Sequence, residues 1–391
     1  SPGGATMTVF QGFPRLNGRP GIRNHLLILS ICGLNAPGAK KAAQALTDAV
    51  LVSSPYGRGH VGADKHFHFK MLNAFATHPN VGGVIVFAPD DRLCDELEQA
   101  VCNSGRDVAG FSLQRWGEDG TAMTAAATAE GRQMLARLKE VPRKACLKSE
   151  ILIAAECGHS DASSGIVANP LVGDLFDHHI AAGGAAVFSE TLEWLGCEPD
   201  LYKRCISKEV SSRLRALVRA RHKITKSAGH NIYIGNPGPQ NHEGGITTLE
   251  EKSLGAVSKG GSQPISSALA EGEPVLSAGL HLMDTPTLSP ESVSSMVAAG
   301  AQIVCFTTGH GNPYGSGLAP TVKLTANPQT ATRLPGQIDF DASDIFCGLR
   351  SRQSVLPELA ELVKQICEGK QTAAEQNKEG DEVISRLGPS V

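Results

Sequence analysis

The strongest constraint on this chain is an alternation of two hydrophobic periods. From Leu26 onward, short apolar runs rich in branched residues alternate with longer stretches that carry apolar side chains at helical spacing. The runs Leu26 to Cys32, Val50 to Ser53, Val81 to Ala88 and Val108 to Ser112 predict strands, and the stretches near 36–50, 63–77, 92–102 and 121–139 predict helices. A strand that re-enters its sheet through a helix lies parallel to its predecessor. The alternation therefore predicts an α/β fold of mainly parallel sheets flanked by helices, with a Rossmann-like first region.

The pattern breaks between Lys139 and Lys148, where Pro142, Arg143 and Lys144 interrupt it before a new apolar run, Ile151 to Ala155. A chain of 391 residues is long for one core, given roughly 100–200 residues per domain. We expect a first α/β domain over 8–140 and a C-terminal catalytic α/β domain over 146–391. In the second, the runs at 185–188, 232–234, 279–283 and 303–307 predict strands. The stretches near 171–182, 208–221, 290–299 and 357–368 predict helices, and the charged tail 371–391 is expected to end in a partly exposed helix. Repeats of roughly 20–50 residues are absent, which excludes solenoids and propellers. The opening Ser1 to Thr6 reads as a tag remnant before a natural start at Met7.

Charge narrows the partners. With 36 Lys and Arg against 39 Asp and Glu, no overall field draws the chain to nucleic acid or an anionic membrane, which leaves small molecules and proteins. The ten Cys form no C-x-x-C pair, no apolar run reaches the length of a membrane span, and no signal-peptide pattern opens the chain. We expect a reduced, cytoplasmic protein.

In open α/β sheets, ligands bind beyond the carboxyl ends of the strands, so the residues that follow each apolar run carry the most information. Cys157, His159 and Asp161 alternate after one run and offer soft, borderline and hard donors; on extended backbone they would face one divalent ion. Glu190 ends the next run and adds a fourth ligand or a base. The plainer reading makes Cys157 a core thiol and Asp161 a helix cap. His60, in the glycine loop Pro55 to His60, is a substrate-contact candidate, while Arg58 beside it either grips an anion or makes a surface ion pair. His66 and His68 stand two apart on a predicted helix and so face different sides. Glu250 reads as a first-turn complement to a helix dipole, and Glu251 and Lys252 remain open. Lys323 lies inside the apolar run Thr321 to Leu324: buried, it is a base or carboxylate anchor; on an edge strand, it is a solubility charge. Gly309, Gly311 and Gly315 miss the G-x-G-x-x-G spacing, and the chain has no P-loop and no G-x-S-x-G elbow, which argues against the P-loop and serine-hydrolase readings.

The order of several blocks resembles one family. Gly12-Phe13-Pro14-Arg15 and Gly18-Arg19-Pro20-Gly21-Ile22-Arg23-Asn24 are followed by His78-Pro79-Asn80-Val81-Gly82-Gly83-Val84, Cys157-Gly158-His159-Ser160-Asp161 and Ala168-Asn169-Pro170. Ser189-Glu190-Thr191, Asn236-Pro237, Gly244-Gly245-Ile246-Thr247-Thr248 through Leu254-Gly255, Lys259-Gly260-Gly261, Met283-Asp284-Thr285-Pro286 and Cys305-Phe306-Thr307-Thr308-Gly309 complete the series. Across about residues 12–348 this is similar to the large region of the altronate and galactarate dehydratases.

That resemblance implies a metal-dependent lyase, a hydro-lyase that eliminates water from a sugar acid or related 2-hydroxy carboxylate after abstraction of the α proton. It implies a divalent metal, Fe2+ or Mn2+ first and Mg2+ next. The expected metal ligands are Cys157, His159, Asp161 and Glu190, and the expected catalytic groups are Glu190, Lys252, His310 and Lys323. Arg58, His60, Asn236, Asp284 and Thr308 are expected to bind the small anionic hydroxy acid. The small N-terminal SAF-type domain of such dehydratases is not in this sequence, so a separately encoded small subunit is expected, as is a homo-oligomer. Pro55-Tyr56-Gly57-Arg58 and Val108-Ala109-Gly110-Phe111-Ser112 also look like the large subunit of sulfolactate sulfo-lyase, which releases sulfite instead of water. The dehydratases typically carry His and Cys in the loop occupied here by Ser54 to Gly59, and Gly-Cys-Glu where this chain has Ala88-Pro89-Asp90. New imidazoles stand at His159 and His310. A ligand-binding homologue that has lost its chemistry is the alternative.

Overall fold

Val81–Ala88 reads VGGVIVFA and is buried at every position, so both faces of its sheet must be covered. In the computed structural model, which describes residues 9–229, 231, 236–388 and 390, helices provide that cover. The strands Val50–Ser53, His25–Ser30, Val81–Ala88 and Asp107–Ser112 lie in that order, every neighbouring pair parallel. Helices Ala36–Ala45, Gly62–Ala76, Asp91–Asn103 and Gly120–Lys139 connect or follow them. Leu26, Ile28, Ile85, Phe87, Met123 and Met134 meet in one buried cluster. Asp90 and Asp119 accept backbone N–H groups at the starts of the last two helices, a reason these elements begin where they do.

The second sheet has seven strands, ordered Phe340–Asp341, Thr321–Thr325, Ile303–Thr307, Leu152–Cys157, Ala185–Phe188, Gly279–Met283 and Ile265–Leu269. All are parallel. The chain leaves the central strand Leu152–Cys157 toward Ala185–Phe188 and later returns on its other side as Ile303–Thr307. That reversal makes the carboxyl end of Leu152–Cys157 a topological switch point, where a crevice opens between diverging loops. The Gly158 N–H donates to the Thr307 carbonyl at 3.1 Å, carrying the pairing of the two strands past the end of Leu152–Cys157.

The α/β class with helix-flanked parallel sheets is as expected, with differences in detail. Ile265–Leu269 and Phe340–Asp341 are strands that the apolar runs did not announce, the second being only two residues long. Thr321–Thr325 is not an edge, since Phe340–Asp341 pairs outside it. The helix expected from Pro357 starts at Arg352 and holds Pro357 in its interior, where the missing N–H removes one helical hydrogen bond. The tail forms its helix early, at Ala373–Asn377. The run at 232–234 lies outside the described residues.

The chain forms two compact units, one of Leu147–Gly315 with Ala319–Glu379, the other of Val9–Cys146 with Ser316–Leu318 and the segment from Gly380. No helix among the described residues is long and apolar enough to cross a membrane.

One contact in the seven-strand unit depends on missing side chains. Helix Asn169–Ala181 presses Gly173 onto the turn Ser258–Gly260, where an added Cβ would lie 2.3 Å from the Ser258 carbonyl oxygen. Gly260 faces Phe188 in the same way, with 2.3 Å left for a Cβ. The neighbour at Gly173 is backbone and cannot rotate away. Gly173→Ala should therefore destabilise the unit by about 1–3 kcal/mol through overpacking. A denaturant midpoint equal to that of the parent chain would show that the turn can yield.

Candidate active site

Three chain segments supply the side chains beyond the switch point. Cys157 is the last residue of the central strand, and the loop from Gly158 to Asp161 follows it. The strand Ala185–Phe188 leads to Glu190, whose φ of 73° places a non-glycine residue in the left-handed region. Such a conformation costs of order 1–3 kcal/mol and persists only where its surroundings hold it. Here the Glu190 N–H donates to Thr285 Oγ1 at 2.9 Å, and a tight turn, Thr191–Trp194, brings Glu193 to the same side. The turn Ser258–Gly260 supplies Lys259, which is 1% exposed.

These residues form one buried charge cluster. Lys259 Nζ donates to Glu190 Oε2 at 2.6 Å and to Cys157 Sγ at 3.0 Å, and lies 3.8 Å from Glu193 Oε2. The Cys157 thiol donates to Glu193 Oε2 at 3.3 Å. Burial would lower the ammonium's pKa, but Cys157, Glu190 and Glu193 around it reverse that and hold it well above the ordinary lysine value. Burial first, and then the Glu156 and Glu193 charges, push the Glu190 carboxyl well above its ordinary value. Burial and the neighbouring Glu193 likewise raise the Cys157 thiol. One ammonium cannot balance several buried anions, so the cluster retains protons on its acids.

Cys157, Glu190 and Glu193 each present a ligand atom, all within 4.8 Å of one another. The donor set suits a divalent ion: thiolate and carboxylate bind iron, manganese or zinc, and the same atoms already gather a positive charge, that of Lys259. The three residues line a cavity of about 650 Å³ with His159, Gln240, Asn241, Lys252, Asn312 and Tyr314. A second cavity of about 380 Å³ shares Ser160, Glu193 and Lys252 with it.

The expected site residues divide. Cys157 and Glu190 are together in the cluster. Lys252 lines the cavity, 3.6 Å from Glu193 Oε1, and donates to Asn236 Oδ1 at 2.8 Å. His159 lines the cavity but is not in the cluster: its φ of 53° ends the extended backbone, and its Nδ1 bonds the Gly311 carbonyl at 2.8 Å. A carbonyl only accepts, so Nδ1 carries the proton and neutral His159 has its lone pair on Nε2. Asp161 acts as a cap. Its Oδ1 accepts from Ser163 Oγ and the Ser164 N–H, and its Oδ2 accepts from Asn327 Nδ2.

Asp284 is held in a buried ion pair with Arg221, at 3.0 and 3.1 Å, and accepts from Thr191 Oγ1. Thr308 Oγ1 accepts the Gly311 N–H. His310 Nε2 is buried without a hydrogen-bond partner, and the His310 carbonyl accepts from Arg333. Lys323 is buried, donates to the Asn312 carbonyl at 2.5 Å and lies 5.2 Å from the Phe306 ring centroid; burial lowers its pKa to about 8. Glu251 closes a capping box with Thr248. In the other unit, Arg58 is exposed and His60 is buried.

Three cluster members were not singled out from the sequence: Lys259, Glu193 and Glu156. A lysine before paired glycines and a Glu-x-x-Glu spacing after a strand are the only traces they leave. Glu156 is fully buried, accepts from Ser292 Oγ at 2.8 Å, and is raised to about 7 by burial, against the lowering field of Lys259.

A raised carboxyl has a definite pH signature. Between the ordinary value of 4.5 and about 7, the folded chain binds more protons at Glu156 than the unfolded one, so stability falls as pH rises through that window. Glu156→Gln cannot ionise. Relative to the parent it should gain stability on the order of 3 kcal/mol between pH 5 and pH 8, read from denaturant midpoints. A difference that stays constant across that range would contradict the buried neutral acid.

Two family models match the chain. Residues 148–390 match the family described as D-galactarate/altronate dehydratase, C-terminal, and residues 12–139 match D-galactarate dehydratase/altronate hydrolase, second domain. The chain is 32% identical to a (2R)-sulfolactate sulfo-lyase subunit beta of Chromohalobacter salexigens, covering 97% of both chains. It is 32% identical to an altronate dehydratase of Escherichia coli and 33% identical to one of Bacillus subtilis, in each case over 97% of this chain and 78% of the relative.

Proposed function

Because this chain belongs to the D-galactarate/altronate dehydratase family, we propose that it is a hydro-lyase that eliminates water from a small hydroxy acid of the sugar-acid class. The observation that carries this reading is the buried acid, thiol and lysine cluster opening on the 650 Å³ cavity. A cavity of that size admits a sugar acid, and its walls carry both a proton acceptor and a proton donor.

His159 is the base. Its Nδ1–H is fixed on the Gly311 carbonyl, so Nε2 is the atom that takes the proton α to the substrate carboxylate. The Lys252 ammonium, on the same wall, gives a proton to the departing β oxygen, and Asn236 holds that ammonium in place. Gln240 and Tyr314 line the cavity as partners for substrate hydroxyls. Cys157, Glu190 and Glu193 would hold a divalent ion, Fe2+ or Mn2+ first, which when bound supplies Lewis-acid stabilisation of enediolate charge. The new double bond forms between the α and β carbons as hydroxide leaves, and the resulting enol becomes the 2-oxo acid.

A second reading takes sulfite as the leaving group. It is favoured by the end-to-end match, 97% of both chains, to a relative named as a sulfo-lyase subunit. That name also motivates a separately encoded smaller partner, which we propose under either reading.

Aldonates, aldarates and 3-sulfolactate, each offered with and without a candidate small subunit, separate the two readings. Formation of a 2-oxo acid from a sugar acid supports the hydro-lyase, and release of sulfite supports the second. Consumption of none of these acids in the presence of Fe2+, Mn2+ or Mg2+ with the subunit would end both.

Glu190→Gln should lose bound metal and turnover together, and unchanged values for both would remove Glu190 from the site. His159→Gln should lower kcat by about 10²–10⁴ with metal content retained. An unaltered kcat in that variant would assign the base elsewhere.

A further inference from the structure

In the four-strand unit, a second group of side chains lacks partners. His60 ends the glycine loop after strand Val50–Ser53, and His68 lies on helix Gly62–Ala76. They are 7% and 1% exposed, and their ring planes stand 86° apart with centroids 5.2 Å from each other. Neither nitrogen of His60 and not Nδ1 of His68 has a hydrogen-bond partner. Leaving a buried polar atom unsatisfied costs about 1–3 kcal/mol, so three such atoms on two facing rings are expensive unless something binds them.

The chemistry of the missing partner follows from the one bond that is made. His68 Nε2 lies 2.8 Å from the Ile31 carbonyl oxygen, which can only accept. The proton is therefore on Nε2, and neutral His68 presents a bare lone pair on Nδ1. Burial, the largest influence, lowers the His68 pKa and favours that neutral form. A ring donating one N–H to a backbone carbonyl and offering its other nitrogen is the usual arrangement of a metal-bound histidine. An anion would find no donor on Nδ1.

We infer that His60 and His68 bind a divalent transition-metal ion that favours imidazole, such as zinc, cobalt or nickel. Two imidazoles on one tetrahedral ion, with metal–nitrogen bonds of about 2.0–2.1 Å, have ring centroids roughly 5 Å apart, which is the spacing here. The remaining coordination positions go to water. The backbone is shaped around this pair: Gly57, at φ 108°, passes so close that an added Cβ would lie 2.6 Å from His68 Nε2 and 2.5 Å from the Ile31 carbonyl oxygen. His66, two residues earlier on the helix, points away and bonds the Gly62 carbonyl.

The test uses the full chain, stripped with a chelator and titrated with Co2+, following visible absorption and bound metal by equilibrium dialysis. A Cys157→Ser/Glu190→Gln background disables the ligand set in the other unit. In that background one equivalent of Co2+ should remain, without a thiolate charge-transfer band. Adding His60→Gln or His68→Gln should abolish it or weaken its Kd by about tenfold or more. Absence of Co2+ binding in the background, or binding that neither histidine substitution changes, overturns the site. If the interior His68 variant fails to fold, the loop variant His60→Gln decides alone.

Discussion

The buried ammonium of Lys259 is the interaction on which the seven-strand unit's site depends. Glu190 and Glu193 could not be buried beside Glu156 and a thiol unless a cation stood among them, because like charges in low dielectric repel strongly. That cation has to arrive on a turn that fits between a helix and a strand end. Gly173 and Gly260 make the fit by presenting no Cβ at the two tightest approaches. Asp177 then receives the N–H groups of Ser262 and Gln263, fixing the chain as it leaves the turn. Packing and electrostatics are thus one problem here, since moving the turn would also unbalance the acids.

Much of the architecture was legible because the physics behind it is local. Strands such as Val81–Ala88 and Ile303–Thr307 are continuous apolar runs, and only a parallel sheet covered on both faces accommodates them. Cys157 and Glu190 were legible for a related reason, since strand ends are where such sheets present chemistry. The error lay in carrying the strand's alternation one step too far. Cys157, His159 and Asp161 share a face only on extended backbone, and the positive φ at His159 ends that geometry. Asp161 is left capping the following turn, while Glu193 and Lys259 complete the cluster from segments that no local period links to the strand.

Lys323 and Asp284 show two further limits of reading residue by residue. Lys323 stood in an apolar run, and its burial followed from a two-residue neighbouring strand too short to be seen in the sequence. It grips the Asn312 carbonyl, so it acts on the cavity through the loop that carries Asn312 and Tyr314. Asp284 sits at a strand end like Glu190, yet its carboxylate is already held by Arg221 and Thr191. Equivalent places in a sheet therefore differ in function according to which carboxylate has a partner.

The Arg221–Asp284 pair also bears on the conditions under which the site keeps its shape. Exposed pairs such as Arg92–Glu96 weaken as salt shortens the Debye length to a few ångströms. The side chains of Arg221 and Asp284 are only 9% and 12% exposed, so counter-ions do not enter between them. Because Asp284 also accepts from Thr191, the turn that aims Glu190 and Glu193 is braced by a contact that ionic strength leaves largely intact. The aim of these acids is therefore set by the protein interior and not by the composition of the surrounding medium.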